Sequence, residues 1–247
     1  MESQRSWRQS WCFFLDVDGT LLDFADTPDV VTVDPDLVVA LERACQALGG
    51  ALALVSGRPI AVLDRLFQPL RLPAAGVHGL ERRSAQGVFT DGPVDWMPLA
   101  SARHAMTELV DRHPGLVFED KAIALALHWR RDPALGPVAY ALLTRLAERL
   151  GPDFELQAGD AVLEIKPSSR DKGTAVTAFL CEPPFAGRVP LFVGDDATDA
   201  DAFRTVERYG GWAIGVGPRP STFLQFADPQ AVRRWLARLT GPSGLLG

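Results

Sequence analysis

The sequence predicts an α/β protein in which a doubly wound parallel sheet is interrupted by a smaller α+β module. Two apolar runs, at residues 12–15 and 191–193, lack the alternation of a half-exposed strand, as is typical of strands buried on both faces. The runs lead into the acidic sequences DVDGT and GDD. In open parallel sheets, ligands bind beyond the carboxyl ends of the strands. We therefore expect both acidic clusters at one edge of one sheet.

The region after the first strand has the order of a parallel crossover unit. Residues 34–48 show apolar positions at helical spacing, with Asp34 as the N-cap and two glycines after the last turn. A second buried strand over 51–55 follows and leads into the polar triplet Ser-Gly-Arg at 56–58. Strand, helix and strand in this order place a further polar cluster at the same sheet edge.

The middle of the chain predicts a separate module with an antiparallel sheet. Its patterns indicate a helix over 98–113, strands over 116–119 and 122–129, a helix over 133–150, and a hairpin of strands over 153–157 and 161–165. The alternation of buried strands and helices that is typical of a parallel sheet resumes near residue 166. It predicts strands over 190–193 and 212–216, helices over 172–181 and 198–209, and a last helix capped by Asp228. We therefore assign residues 1–82 and 166–247 to a core domain and residues 83–165 to an inserted domain.

Composition and charge narrow the class of protein. The 247 residues are 47% hydrophobic and carry a net charge of −6, which argues against a general binder of nucleic acid or of anionic membranes. No apolar run reaches the length of a membrane span, and the run that ends at Leu15 is too short for a signal-peptide core. Three scattered cysteines fit neither a disulfide framework nor a zinc site. We expect a cytoplasmic protein, and a monomer because no apolar surface patch is evident.

The acidic clusters suit a hard metal ion. Asp16 and Asp18 are two residues apart, so both can project to the same side of an extended chain. With Asp195 and Asp196 at the same edge, four carboxylates would repel one another unless a cation lay among them. Mg²⁺ prefers oxygen ligands, and we expect it here. Taken alone, the first cluster could be a calcium loop or a turn, and the second could simply favour a helix N-terminus.

The same residues suit phosphoryl transfer. One carboxylate of the first pair could attack phosphorus to form an aspartyl-phosphate, while the other protonates the leaving oxygen and then deprotonates water. Thr20 offers a hydroxyl and an amide to the phosphate oxygens. The remaining phosphate contacts would come from Ser56, Gly57 and Lys172. Each of these pieces is common by itself, and it is their order and their placement at strand ends that indicate this chemistry.

This ordered set resembles the four motifs of the haloacid dehalogenase superfamily of phosphatases. The resemblance implies a Rossmann-like core with a cap domain inserted between the second and third motifs. It also implies that Asp16 is the nucleophile and that Asp18 is the acid/base. The Mg²⁺ ligands would be Asp16, the backbone carbonyl of Asp18 and Asp195, with help from Asp196 or Asp199.

Over nearly its whole length the chain also resembles the trehalose-6-phosphate phosphatase family. The stretches that carry this resemblance are FFLDVDGTL (13–21), PDVVTVDPDL (28–37), VSGR (55–58), GVHGLE (76–81), EDKAIALALHWR (119–130), LEIKPSSRDKGTA (163–175) and GDDATDADAF (194–203). The implied substrate is a small molecule, trehalose 6-phosphate. The implied sugar contacts in the inserted domain are Glu119, Lys121, Glu164 and Lys166. Further candidates for substrate contact are Arg58, His78 and His128, with a structural role as the alternative for each histidine.

One departure from the family pattern and two alternative functions stay open. The family usually has Glu after Thr-Asp in its last motif, where this chain has Ala200, and the neighbouring Asp201 could compensate. The first alternative is a capped phosphatase for sucrose phosphate or a glycosyl phosphoglycerate, against which the stretches 119–130 and 163–166 argue. The second is a non-catalytic regulator that binds a phosphosugar, and it rests on Ala200 alone.

Overall fold

The structure is a computed structural model that describes residues 10–23, 32–91 and 99–239. The chain divides into two compact units, the first made of residues 1–90 and 171–247 and the second of residues 91–170. The boundaries that we predicted, 82/83 and 165/166, lie a few residues earlier in the chain. Part of the stretch 28–37 and the first residue of the helix predicted over 98–113 lie outside the described residues.

The predicted elements occur within these ranges in the predicted order, together with further short strands that were not predicted. The strands are β1 (Trp11–Leu15), β2 (Leu52–Val55), β3 (Ala74–Gly76), β4 (Glu81–Arg83), β5 (Phe89–Asp91), β6 (Val117–Asp120), β7 (Leu125–His128), β8 (Phe154–Gly159), β9 (Val162–Pro167), β10 (Val189–Gly194), β11 (Trp212–Val216) and β12 (Leu224–Phe226). The α-helices are α1 (Pro35–Ala47), α2 (Ile60–Leu66), α3 (Leu99–Arg112), α4 (Gly136–Leu150), α5 (Lys172–Leu180), α6 (Ala200–Arg208) and α7 (Pro229–Leu239).

An eight-stranded sheet organises the first unit, in the order β12-β11-β10-β1-β2-β3-β4-β5. The strands from β12 to β3 pair in parallel, and β4 is antiparallel to β3. The chain leaves β1 toward β2 on one side and returns on the other side through β10, so the switch point of the sheet lies between β1 and β10. The predicted doubly wound α/β fold is confirmed, and ligands of such sheets bind at this switch point.

Buried aromatic packing fixes the strand that ends in Asp16. Phe14 of β1 is fully buried, and its ring centroid lies 5.9 Å from that of Phe179 and 5.4 Å from that of Phe185. Helix α1 packs against α7, and α5 packs against α6. As predicted, the side chain of Asp34 caps α1 by accepting a hydrogen bond of 2.9 Å from the amide of Asp36. The carboxyl end of β1 therefore rests on a rigid core.

The second unit is a four-stranded antiparallel sheet in the order β6-β7-β9-β8, with α3 and α4 packed on it. One face carries Leu125, Leu127, Leu163 and Ile165, which are buried with apolar residues of the two helices. The alternation of strands puts polar residues on the opposite face. Strand register aligns Glu119, Ala126, Glu164 and Gln157 in one row across that face.

Two local predictions in this unit need correction. The strand predicted over 122–129 begins at Leu125, because Ala122 has a left-handed φ of 65° and its amide bonds to the side chain of Asp120 in a turn. The hairpin turn predicted over 158–160 is shorter and lies at 160–161, since Gly159 still pairs with Val162 and Ala161 adopts a φ of 55°. In the described part of the chain, every helix is too short or too polar to cross a membrane.

Candidate active site

The ends of β1 and β10 bring two predicted acidic residues together. Leu15 pairs with Val193 in the parallel ladder, and the amide of Asp16 donates a hydrogen bond of 2.9 Å to the carbonyl of Val193. Asp195 follows one residue after the end of β10. Asp16 and Asp195 are both buried, with 3% and 4% of their surface exposed. Of the four carboxylates expected to converge, Asp16 and Asp195 therefore do so, whereas Asp18 pairs with Arg58 and Asp196 accepts a hydrogen bond from the amide of Ala197.

Lys172 links this pair to a third carboxylate. Its ammonium donates hydrogen bonds of 2.7 Å to Oδ1 of Asp16 and of 2.7 Å to Oδ1 of Asp199. Lys172 is the first residue of α5, and a capping box between Asp171 and Thr174 fixes the start of that helix. All three charged side chains of this cluster are buried. The position of the ammonium is thus set by the helix start.

Asp199 also holds the loop that follows β10. Its Oδ2 accepts hydrogen bonds of 3.0 Å from the amide of Asp195 and of 3.1 Å from the amide of Asp196. A side chain at Gly194 would collide with it, because a Cβ there would lie 2.5 Å from Cγ of Asp199. Asp196 instead turns its carboxylate to the amide of Ala197 at 2.6 Å. Of the two acids between which the sequence left the choice open, Asp199 is the one in the cluster.

Burial makes the cluster costly in its charged form. It raises the pKa of Asp16 well above its ordinary value; the charge of Lys172 opposes this rise, and the charges of Asp199 and Asp195 add to it. Burial also raises the pKa of Asp195, to about 7, reinforced by Asp199 and opposed by Lys172. For Lys172, desolvation would lower the pKa, but the charges of Asp16 and Asp199 outweigh it and raise the pKa.

The donor set of this cluster fits a divalent cation. Asp16, Asp195 and Asp199 each offer one carboxylate oxygen, and these oxygens lie within 4.8 Å of one another. One ammonium against three carboxylates leaves an excess of negative charge in a buried place, which a cation would balance. Oxygen-only donors suit Mg²⁺ and similar hard ions. A divalent metal is thus consistent with the residues that the fold assembles.

The residues predicted to bind phosphate line the same strand ends. The hydroxyl of Thr20 donates to Oδ1 of Asp195 at 3.4 Å, and Thr20 is fully buried. The hydroxyl of Ser56, after β2, accepts a hydrogen bond of 3.1 Å from the amide of Arg58. Gly57 lies against the imidazole of His78, where a Cβ would be 2.7 Å from Nε2. His78 thus packs on the backbone of the loop 56–58.

Asp18 and Arg58 form a two-pronged ion pair. Nε of Arg58 donates to Oδ2 of Asp18, and Nη2 donates to Oδ1, each at 2.7 Å. We predicted Arg58 as a substrate contact, and in the structure its guanidinium binds the second aspartate of the DVDGT sequence. No pattern in the sequence indicates this pairing, because 40 residues separate the two side chains.

The predicted sugar contacts lie on the polar face of the second sheet. Oε2 of Glu119 is 2.9 Å from Nε2 of His128, and the ammonium of Lys121 donates to Oε2 of Glu164 at 2.5 Å. Burial would raise the pKa of Glu119, but the hydrogen bond from His128 and the charge of Lys121 outweigh it and lower the pKa.

Lys166, the last of these predicted contacts, lies further along the same face. Its ammonium lies 2.5 Å from Oε1 of Glu155 and donates to the carbonyl of Arg170 at 2.9 Å. Lys166 is almost fully buried, with 1% of its surface exposed. The polar face thus holds its lysines and carboxylates in fixed pairs.

Two further charged residues lie near the ends of β10 and β11, and only the first of them was unpredicted. Nη1 of Arg219, in the loop after β11, lies 3.7 Å from Oδ2 of Asp195 and is half-exposed. Asp201, considered as a substitute for the missing Glu, pairs with the exposed Arg204 on α6. Arg219 could not be predicted, since a loop arginine carries no periodic pattern.

A doubly wound α/β fold with a buried carboxylate cluster at its switch point is the arrangement that the resemblance to phosphatases of the haloacid dehalogenase superfamily implies. A sequence profile of the trehalose-phosphatase family matches residues 14–222. The chain belongs to this family. The resemblance seen in the sequence is confirmed, and with it the prediction of an enzyme that hydrolyses phosphoric monoesters.

Individual relatives agree with the family match. The chain is 44% identical over 211 residues to the probable trehalose-phosphate phosphatase of Sinorhizobium fredii, covering 85% of this chain and 78% of the relative. It is 40% identical over 234 residues to the trehalose-6-phosphate phosphatase of Escherichia coli K12, covering 93% and 86%. The C-terminal domain of the Candida albicans trehalose-6-phosphate phosphatase has the same fold, with a TM-score of 0.84 at 23% identity over 94% of this chain and 93% of that one.

Proposed function

We propose that this chain is a Mg²⁺-dependent phosphatase that hydrolyses trehalose 6-phosphate to trehalose and phosphate in trehalose biosynthesis. The observation that carries the proposal is the buried cluster of Asp16, Asp195, Asp199 and Lys172 at the switch point of the sheet. The family match and the names of its relatives support the choice of substrate.

In the first step Asp16 is the nucleophile. One of its carboxylate oxygens attacks phosphorus, the bond between phosphorus and the sugar oxygen breaks, and Asp18 gives a proton to that leaving oxygen. Trehalose leaves, and an aspartyl-phosphate remains on Asp16. The hydrogen bond from Lys172 holds the Asp16 side chain in one rotamer, which supports in-line attack by a defined oxygen.

In the second step water attacks phosphorus. Asp18, now a carboxylate, takes a proton from this water, the bond between Asp16 and phosphorus breaks, and inorganic phosphate is formed. Asp18 thereby regains the proton that it gave to the sugar. Asp16 would act as the nucleophile and Asp18 as the acid and base, and their different surroundings agree with these different roles. Asp16 is deeply buried beside Lys172, while the Asp18 side chain is 33% exposed beside Arg58.

Mg²⁺ would be held by Asp16, the backbone carbonyl of Asp18 and Asp195. Asp199 would complete the site from within the cluster, and Asp196 would act from further away because its side chain caps a turn. When bound, the ion would neutralise charge on the phosphate oxygens and on the carboxylates. The phosphate itself would contact Thr20, Ser56, Gly57 and Lys172 through hydroxyls, amides and the ammonium.

The sugar would be recognised by the polar face of the second sheet. Carboxylates accept hydrogen bonds from sugar hydroxyls and lysines donate them, so Glu119, Lys121, Glu164 and Lys166 can together read the disaccharide. His128 would orient Glu119 through their 2.9 Å hydrogen bond, and His78 would support the loop 56–58. The role of the second unit as a specificity domain is part of this proposal, as are a monomeric state, a cytoplasmic location and the absence of nucleic-acid or membrane partners.

Product analysis tests this function. The purified chain is incubated with trehalose 6-phosphate, with Mg²⁺ or after removal of metal with a chelator, and trehalose and phosphate are quantified separately. We expect equal amounts of the two products, with Mg²⁺ and not without it. Metal-dependent activity on sucrose phosphate or a glycosyl phosphoglycerate alone would agree with the proposed phosphatase mechanism but would show that trehalose 6-phosphate is not the substrate. Binding of trehalose 6-phosphate without release of phosphate would favour a regulator.

A further inference from the structure

The pair formed by Arg58 and Asp18 has the geometry of a positioning contact. Both prongs of the guanidinium are used and both bonds measure 2.7 Å, so the plane of the Asp18 carboxylate is fixed rather than free to rotate. The Arg58 side chain is 10% exposed, which limits competition from water. Each carboxylate oxygen has two lone pairs, and the fork uses one on each oxygen. The second lone pairs stay available for the proton transfers that the proposed function assigns to Asp18.

The backbone of Arg58 is held as firmly as its side chain. Its amide donates to the hydroxyl of Ser56 at 3.1 Å, and its carbonyl accepts from the amide of Val77 at 3.1 Å. The amide of His78 bonds to the carbonyl of Ser56 at 3.0 Å. Gly76 passes so close that a Cβ there would lie 2.8 Å from the Arg58 carbonyl. The turn over 76–79 therefore clamps the loop that carries Arg58.

That turn adopts a strained backbone. Val77 and His78 have φ values of 47° and 54°, in the left-handed region that a β-branched residue such as valine rarely enters. Such conformations persist only where the surroundings impose them, and they concentrate at functional sites. Here the strained residues supply the two amides that bind the carbonyls of Ser56 and Arg58. The strained backbone conformation thus places the amides that hold the loop carrying Arg58.

We propose that Arg58 is a positioning residue for the acid/base Asp18: its guanidinium fixes the carboxylate in the orientation needed for proton transfer, and the turn over 76–79 fixes Arg58. This inference rests on the proposed function and changes the role predicted for Arg58 from the sequence. A residue that acts on Asp18 affects the rate of the chemical steps. A residue that binds substrate affects the binding of phosphate or sugar.

Two variants of Arg58 separate these roles. Arg58→Gln removes the charge and keeps a polar side chain, and Arg58→Lys keeps the charge without a fork that can bind both oxygens. For each, kcat and KM are measured with Mg²⁺ on the sugar phosphate that the wild-type chain hydrolyses, together with the inhibition constant of inorganic phosphate and the melting temperature. Inorganic phosphate probes the binding of the phosphoryl group without needing proton transfer.

We expect kcat to fall by about 100-fold in Arg58→Gln and by about tenfold in Arg58→Lys, because a misoriented acid/base loses most of its contribution. KM and the inhibition constant of phosphate should stay within about twofold of wild type, since no substrate contact is lost. If both constants rise while kcat is kept, Arg58 binds substrate and the proposal is wrong. Unchanged kcat in both variants also overturns it. If Arg58→Gln fails to fold, Arg58→Lys decides by the same criteria.

The wild-type chain separates this proposal from the proposed function. A wild type that is inactive on trehalose 6-phosphate but active on another sugar phosphate would refute the substrate, and the two variants would still be compared with it on that other substrate.

Discussion

The ammonium of Lys172 donates a hydrogen bond of 2.7 Å to the carboxylate of Asp16, although 156 residues separate the two in the chain. Lys172 belongs to the core segment that follows the second unit in the chain, and Asp16 belongs to the core segment that precedes it. The pair therefore forms only when both segments of the core have folded together. Since both side chains are buried, the stability of the core and the assembly of the proposed catalytic centre depend on the same contact.

Replacement of Lys172 should destabilise the fold. Lys172→Met keeps a long side chain but leaves Asp16 and Asp199 buried without their ammonium, and we expect the free energy of unfolding to fall by about 3–5 kcal/mol. The matched control is Arg204→Met, which breaks an exposed ion pair with Asp201 and should cost at most about 1 kcal/mol. Urea denaturation measures both. An equal decrease in the free energy of unfolding in the two variants would show that the buried ion pairs of Lys172 stabilise the fold no more than an exposed ion pair does.

Removal of the nucleophile should abolish turnover. Asp16→Asn keeps the shape of the side chain and one acceptor oxygen but removes the attacking carboxylate, so kcat should fall by at least about 10⁴-fold. Asp111→Asn, an exposed aspartate on α3, should keep wild-type activity. Steady-state phosphate release measures both. An active Asp16→Asn enzyme would exclude the aspartyl-phosphate mechanism.

The stability of the metal-free protein should depend on the ionisation of Asp195. The pKa of this carboxyl is about 7 in the folded chain, against an ordinary value of 3.8. The folded state therefore binds the proton more tightly, and the stability that this provides at low pH is lost as the pH rises through about 4 to 7. Asp195→Asn removes the titration, so its stability relative to wild type should increase over this range, at most by about 1.4 kcal/mol per pH unit.

Urea denaturation in chelator at pH 5, 6, 7 and 8 gives this comparison. Mg²⁺ should then stabilise the wild type more at pH 8 than at pH 6, because a metal ligand must be deprotonated. Parallel stability curves for wild type and Asp195→Asn would contradict the assignment of a raised pKa to this residue.

The polar face of the second sheet should determine binding of the sugar and not of phosphate. Glu119→Gln keeps the size of the side chain and removes a charged acceptor, so kcat/KM for trehalose 6-phosphate should fall by about 10- to 100-fold. The inhibition constant of inorganic phosphate should be unchanged. Glu148→Gln, on the exposed side of α4, should match wild type in both. A Glu119→Gln enzyme with normal kcat/KM would remove this residue from the sugar site.

Asp201 should not replace the glutamate that the family usually has at position 200. Its carboxylate pairs with Arg204 on the exposed side of α6, away from the buried cluster of Asp16 and Asp195. We therefore expect Asp201→Asn to change the Mg²⁺ concentration for half-maximal activity by less than about twofold, within the range of an ordinary surface substitution. A large increase in that concentration would mean that Asp201 supports the metal after all.

The sequence was most informative where buried strands end in polar residues. The apolar runs before Asp16 and Asp195 predicted a parallel sheet, and parallel strands necessarily gather their carboxyl ends at one edge. The sequence did not decide between Asp196 and Asp199, because both follow the same strand; in the structure they form a capping box, in which Asp196 accepts from amides ahead of it and Asp199 reaches back to the amide of Asp196. Asp196 accepts from the amide of Ala197, and Asp199 accepts from the amides of Asp195 and Asp196.

Some features of the fold could not be predicted because they are short. Strands β4, β5 and β12 have three residues each, too few to show a period of two.

Other unpredicted features depend on contacts between residues that are distant in sequence. The pairs of Asp18 with Arg58 and of Asp195 with Arg219 join side chains from different loops, and no spacing rule relates them. The strained turn at Val77 and His78 could not be predicted from the sequence either, since neither residue type favours a left-handed backbone strongly enough.

The ratio of kcat/KM values for three sugar phosphates tests the central claim most directly. Trehalose 6-phosphate, sucrose 6-phosphate and glucose 6-phosphate would be compared at saturating Mg²⁺ with the same preparation. We predict a preference for trehalose 6-phosphate of at least about 100-fold over each of the others, because under the proposed function the polar side chains of the second sheet would hydrogen-bond to its hydroxyls, and a sugar without those hydroxyls would leave them unpaired. Equal values for the three, or a preference for either competitor, would contradict the assignment of trehalose 6-phosphate as the substrate.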